Sequence, residues 1–255
     1  MFLDGSDFKE AVATLTGFAP ERTVCSIAKQ RDQVVKQPNK ELPNGIGKLA
    51  LELWHASIDP RGTLVHCYLE HRRLDLPDDA ASESIRFHPN CRIGGEHHPA
   101  MVCLVRNILT NEPQAIHRTA LTPEGRAVKR PDKAVRPKTF RMSLGPTAGG
   151  AIKLDPDEDV TQGLCIGEGV ETCLAGRQMG LRPVWSLLGT TGVEKFPVLP
   201  GIEGLHILRD NDANLAGPKS VEDCAARWRA AGLDVHIADP ERGSDLNDEL
   251  RGVAA

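Results

Sequence analysis

From Gly163 onward the chain alternates short apolar runs with helical periods, and this alternation constrains the fold more than any other feature. The runs predict strands at 163–167, 183–188, 204–209 and 233–238. Between them the spacing predicts helices at 170–180 and about 216–231, with a terminal helix from about 245. Strands that alternate with helices lie parallel, because each helix carries the chain back over the sheet before the next strand begins. The second long helix shows an inner face of Val221, Cys224, Ala225 and Trp228, and Gly232 stands where a helix-ending glycine belongs.

In an open parallel sheet the functional groups collect beyond the carboxyl ends of the strands. Three of these ends carry acids: Glu168 between Gly167 and Gly169, then Asp210 and Asp212 in LHILRDND, then Asp245 and Asp248 in VHIADPERGSDLNDEL. The flanking glycines let the backbone turn tightly at Glu168 and leave its carboxylate uncrowded. Asp210 and Asp212, two apart in an extended segment, point the same way, while Asn211 faces elsewhere. An isolated D-x-D pair is more often a helix cap or a loop decoration. Carboxylates converging on one edge are different: they repel unless a cation sits among them, and hard oxygen ligands select Mg²⁺ or Mn²⁺. Glu171, one turn into its helix, is read only as an acid that favours the helix N-terminus.

The preceding half changes period twice. Residues 1–17 read as a short amphipathic helix and about 21–46 as a polar loop or flexible linker. From Ile46 to about Leu74 apolar residues recur at helical spacing, interrupted by a DPRG turn at 59–62. IRFHP, AMVCLVRNI and QAIHRTAL, within 85–122, are β-prone runs that predict a small antiparallel sheet. The stretch 125–141 holds seven basic residues and one acid and is too broken by proline for a helix, and 154–160, LDPDEDV, reads as an acidic linker. Domains are therefore expected at 1–45, 46–153 and 160–255.

Residues 1–153 carry 22 Lys and Arg against 17 Asp and Glu, whereas 154–255 carry 9 against 18. A basic half beside an acidic half fits a polyanion track that leads to a cation-holding carboxylate cluster. The seven cysteines form no CxxC pair, so neither a disulfide framework nor a zinc ribbon is suggested. His66, Cys67 and His71 form a loose metal-like group in a helix-like segment, for which an ordinary surface is the better reading. No run approaches the roughly 18 apolar residues of a membrane span, and the start lacks a signal-peptide layout, so a soluble cytoplasmic protein without membrane partners is expected.

The acids and their spacing resemble the Toprim domain, shared by bacterial-type primases, type IA and II topoisomerases and several nucleases. The resemblance covers 160–252 and rests on four motifs. These are an apolar strand running into Glu168 and Gly169 with ETCLA after it, a second strand ending in SLLGT, the Asp210/Asp212 pair followed by Gly217 and a helix, and a late G-x-D-x-N-D from Gly243 to Asp248. It implies an α/β fold: a C-terminal Toprim domain with a parallel sheet flanked by helices, preceded by a smaller α+β basic domain. It also implies metal-dependent phosphoryl transfer on nucleic acid. Glu168 would be general acid or base or a metal ligand, and Asp210 and Asp212 would hold Mg²⁺ or Mn²⁺. Gly169, Gly189 and Thr190 would shape the nucleotide-binding loops, with Asp245 as a weaker fourth ligand or a support.

The N-terminal half is similar to the region ahead of Toprim in primase-like proteins of phages, plasmids and proteobacterial mobile elements, on LWHASIDPRGTLVHCYLEHRRL, IRFHP, QAIHRTALTPEGR and KTFRMSLGPTAGGAI. The resemblance implies nucleotidyl transfer on a single-stranded DNA template with nucleoside triphosphates. It makes Arg118, Lys138 and Arg141 the candidate phosphate contacts. The zinc module of a complete primase and a helicase P-loop have no counterpart in the sequence. The core is therefore expected to need a supplied primer or a partner, a replicative helicase or another protein of the same mobile element. A Toprim nuclease and a non-catalytic nucleic-acid-binding accessory protein are the alternatives. A topoisomerase is disfavoured, because the only tyrosine is Tyr68.

Overall fold

The structure is a computed structural model that describes residues 46–130, 138–210, 216–241 and 243–252. They divide into two compact units that part between Gly150 and Ala151. The helix and linker expected within 1–45 lie outside the described residues.

The first unit opens with helices α1 (Ile46–Ala56) and α2 (Leu64–His71), separated by the DPRG turn the sequence announces. Thr63 caps α2 by accepting a hydrogen bond from the Val65 N–H. Strands β1 (Ile85–Ile93), β2 (Glu96–Asn107) and β3 (Pro113–Ala120) follow, and the connecting segments carry a two-strand hairpin, β4 (Lys129–Arg130) with β5 (Lys138–Thr139). Strand β6 (Arg141–Leu144) pairs with β3, so the antiparallel order is β1-β2-β3-β6. Gly94 and Gly95, at φ 57° and 93°, make the two-residue turn between β1 and β2, a connection that demands positive φ at both positions. Alternate residues Ala100, Val102 and Leu104 meet Ala50 and Trp54 of α1, together with Ile93, Ile116 and Phe140, in one apolar core. The resemblance sets QAIHRT and KTFRMSLGP in a sheet, where β3, β5 and β6 lie, whereas β4, inside the proline-broken basic stretch, was not announced.

The second unit is the expected alternation. Strand β7 (Gly150–Lys153) leads to β8 (Gly163–Gly167), α3 (Val170–Gln178), β9 (Val184–Ser186), a short helix α4 (Thr190–Glu194) and β10 (Gly204–Leu208). Helix α5 (Ala216–Ala230), β11 (Asp234–Ala238) and α6 (Leu246–Arg251) complete it. The sheet order is β11-β10-β8-β9-β7, with the first four strands parallel and β7 antiparallel to β9. Central β8 is buried at every residue, and so are Val170 to Arg177 of α3. Helix and sheet approach closely: a methyl on Gly176 would stand 2.6 Å from a Leu208 methyl carbon. Phe196 and Trp228 stack with ring centroids 5.8 Å apart, and Trp228 and Trp185 are fully buried.

The run 154–160, expected as a linker, is instead packed into this second unit. Asp155 is fully buried, and its Oδ1 accepts hydrogen bonds from Arg177 Nε at 3.1 Å and Arg182 Nε at 2.9 Å. Its Oδ2 accepts from the Val184 N–H at 2.8 Å, and its carbonyl accepts from the Trp185 indole at 2.9 Å. Beside it the buried Lys153 ammonium bonds Asp157 at 2.7 Å and sits 4.3 Å from the Trp185 ring centre. Acids in such a run stay in the interior because each is paired with a cation there.

Two outcomes test this core. Asp155→Ala strands the buried Arg177, so urea unfolding should show a loss of about 3–5 kcal/mol with the slope unchanged. His206 on β10 is buried and stacked on His236 of β11, centroids 5.0 Å apart. Burial, and secondarily the charge of His236, push its pKa down from 6.5 to about 4. Between those values the unfolded chain takes up a proton that the folded chain refuses. Stability should therefore be intact above pH 6.5, fall as pH drops, and be lower by about 3 kcal/mol below pH 4, at 1.36 kcal/mol per unit. Urea midpoints from pH 7.5 to 4 should show this slope, and His206→Asn should flatten it.

Candidate active site

Parallel pairing puts the first two acids side by side. Strands β8 and β10 are adjacent and in register, with Gly167 opposite Leu208, so the chain emerging from β8 delivers Glu168 beside the chain that delivers Asp210. Gly167 has no room for a side chain, since a Cβ there would lie 2.8 Å from Cys173 Sγ. The backbone must pass under α3 at that point before it turns out at Glu168. Gly169 then caps α3 in extended conformation, and Glu168 is half-buried.

The N-terminal turn of α5 closes on both acids. A methyl placed on Gly217 would stand 3.6 Å from Glu168 Oε1 and 3.9 Å from the Asp210 carbonyl oxygen. Two buried hydroxyls hold this group together. Ser186, at the end of β9, donates to the Glu168 carbonyl at 3.1 Å, and Thr172, in the first turn of α3, donates to Asp210 Oδ1 at 2.9 Å. Between them lies the Cys173 thiol. Burial first, and then the charge of Asp210, hold it well above the ordinary thiol range, so it stays protonated.

Asn211 and Asp212 lie outside the described residues. Asp245 caps α6, its Oδ1 accepting from the Asp248 N–H at 2.7 Å, and Asp248 in turn accepts from the Ser244 hydroxyl at 2.7 Å. The Asp245 carboxylate thus caps the helix. Gly189, at φ 136°, precedes α4, and Thr190 opens that helix half-exposed. Gly192 fixes the loop's position: a Cβ there would overlap the Leu187 carbonyl oxygen at 1.9 Å. Glu171 is buried in α3.

Arg118 departs from expectation. It is buried on β3, and its guanidinium donates to the backbone carbonyls of Arg92 at 2.6 Å, Ser143 at 3.2 Å and Met142 at 3.3 Å. It ties strands of the sheet to one another and is not presented to a phosphate. Arg141 is exposed on β6, and the backbone of Lys138 forms part of β5. His66 and His71 of α2 engage Glu70 and the Gly125 carbonyl, in keeping with a plain surface. Among the described residues no three His, Cys, Asp or Glu side chains gather as a metal cluster, and no helix is long and apolar enough to cross a membrane.

Sequence reasoning gave no role to Ser186 and Thr172. Both stand in motifs that carry the resemblance, ETCLA and SLLGT, but their hydrogen-bond partners are set only by the fold.

Residues 163–255 match the family model of the Toprim domain, and residues 45–154 match a domain of unknown function, DUF7146. No curated protein matches the chain. Among solved structures, a DNA primase domain from Pseudomonas aeruginosa is similar at 12% identity and TM-score 0.54, covering 82% of this chain and 75% of that one. The DnaG catalytic core is similar at 14% identity and TM-score 0.55, covering 81% and 74%. The Aquifex aeolicus primase, with its zinc-binding and RNA polymerase domains, is similar at 13% identity and TM-score 0.56, covering 97% and 67%. The family match coincides with the unit whose strand ends carry Glu168 and Asp210, so residues 163–255 form a Toprim domain, within a fold similar to those of the primase structures.

Proposed function

We propose that this protein is a primase-like nucleotidyltransferase that joins nucleotides, supplied as triphosphates, on a single-stranded DNA template. The observation that carries the reading is the meeting of Glu168, Asp210 and the first turn of α5 at the carboxyl edge of β8 and β10. The fold shared with a DNA primase domain and the basic composition of residues 1–153 support it.

Toprim domains generally bind divalent cations such as Mg²⁺. The donor set here fits one, because Glu168 and Asp210 are hard oxygen donors and the neighbouring Cys173 thiol stays protonated. Glu168 and Asp210, with Asp212, would hold Mg²⁺ or Mn²⁺. When bound, the ion offsets the negative charge that builds on phosphate oxygens during an in-line displacement. The chain's own groups do the rest. Glu168, half-buried at a strand end, takes the proton of the attacking hydroxyl; Asp210, held by Thr172, keeps a fixed orientation; Gly217 brings the first turn of α5 alongside the Glu168 carboxylate. Arg141 and Lys138 are the proposed backbone contacts. Gly169, Gly189 and Thr190 are the proposed shapers of the nucleotide loop.

Incubation with single-stranded DNA, labelled nucleotides and Mg²⁺ or Mn²⁺ should give extended strands, most readily on a primed template or with a helicase partner added. Shortened strands would establish the nuclease instead. In either assay Glu168→Gln should leave folding intact and lower the rate at least about a hundredfold, since the amide cannot move a proton and ligates poorly. Replacing Lys138 and Arg141 by Ala should flatten the salt dependence of single-strand binding by one to two units, at about 0.7 per lost contact. An unchanged slope places the contacts on other residues.

A further inference from the structure

Thr172 stands in the first turn of α3, and the carbonyl four residues back, Glu168's, precedes the Gly169 N-cap and so lies outside the helix. That carbonyl accepts the Ser186 hydroxyl at 3.1 Å. Thr172 reaches out of α3 and donates to Asp210 Oδ1 beyond the neighbouring strand at 2.9 Å. Thr172 is 2% exposed and Asp210 half-buried, and branching at Cβ restricts the threonine rotamer.

From this geometry we infer that Thr172 is a positioning residue for the cation site, fixing the rotation of the Asp210 carboxylate before any ion arrives. The inference rests on the reading of Glu168 and Asp210 as cation ligands. The chemistry of the donor matters as much as its place. An ammonium or guanidinium at position 172 would orient Asp210 equally well, but it would cancel the charge the cation needs and compete for the same oxygens. A neutral O–H orients the carboxylate and leaves its full charge in place. Groups that orient a metal ligand from behind typically account for ten- to a hundredfold in affinity. Ser186 complements this by holding the main chain at Glu168, so each of the two acids is tied by one hydroxyl.

The test is Mn²⁺ calorimetry on the full chain, with circular dichroism in chelator to confirm folding. Thr172→Val, nearly isosteric but without the hydroxyl, should weaken Mn²⁺ binding about tenfold or more, while Thr172→Ser should stay within about threefold of the parent. Should the valine variant unfold in chelator, Thr172→Ala removes the same hydroxyl and is read in its place. Equal Mn²⁺ affinity in the parent and the hydroxyl-free variant overturns the inference and leaves the cation site standing. A serine variant as weak as the valine one also overturns it, because methyl packing would then be the cause. If the parent shows no Mn²⁺ binding, or Asp210→Asn binds as well as the parent, the reading of the acids themselves falls and this inference with it.

Discussion

One buried carboxylate holds the second unit in its working shape. Asp155 accepts from the guanidinium groups of Arg177 and Arg182, from the Val184 main chain and, through its carbonyl, from the Trp185 indole. These partners lie at the last turn of α3, in the connection after it and at the start of β9. A charge with no countercharge would be expelled from such an interior, and two guanidinium groups without Asp155 would be as costly. The network therefore fixes how α3 and β9 sit relative to each other. Those two elements carry Thr172 and Ser186, the hydroxyls that tie Asp210 and Glu168.

Close approach does the remaining positioning. Gly176 lets α3 settle against Leu208 of β10, and Gly167 lets β8 pass beneath Cys173, so helix and strands meet at distances a Cβ would forbid. Interiors packed this tightly transmit displacement instead of absorbing it. An error of helix placement set at the Asp155 end would reach Thr172 with little attenuation, since four residues of α3 separate Thr172 from Arg177 and a helix rises only about 1.5 Å per residue.

The sequence exposed what depends on local pattern. The bounds of β8, the long helix ending ahead of Gly232 and the order of the parallel elements follow from the period of apolar residues and from turn chemistry, and both act over a few positions. The acids at the ends of β8 and β10 were equally visible, because topology alone sends them to one edge. Other features depend on partners far along the chain. Asp155 looked like part of a solvated linker, since charge density is local and its guanidinium partners stand 22 and 27 residues away. Arg118 looked like a phosphate contact for the same reason, although its acceptors are carbonyls on other strands. Helix α4, at five residues, is shorter than the window in which a helical period can be recognised.

The two ends of α3 divide the electrostatic work. Its last turn places Arg177 against Asp155, where the opposite charges are satisfied within the fold. Its first turn, at the other end of the parallel strands, meets Asp210 through a neutral hydroxyl. An arginine in place of that hydroxyl would bring a fixed positive charge against the Asp210 carboxylate, whereas the hydroxyl orients the carboxylate and leaves its charge unchanged. One helix thus meets two demands, a charged pair closed within the interior at its last turn and a neutral contact to a strand-end acid at its first.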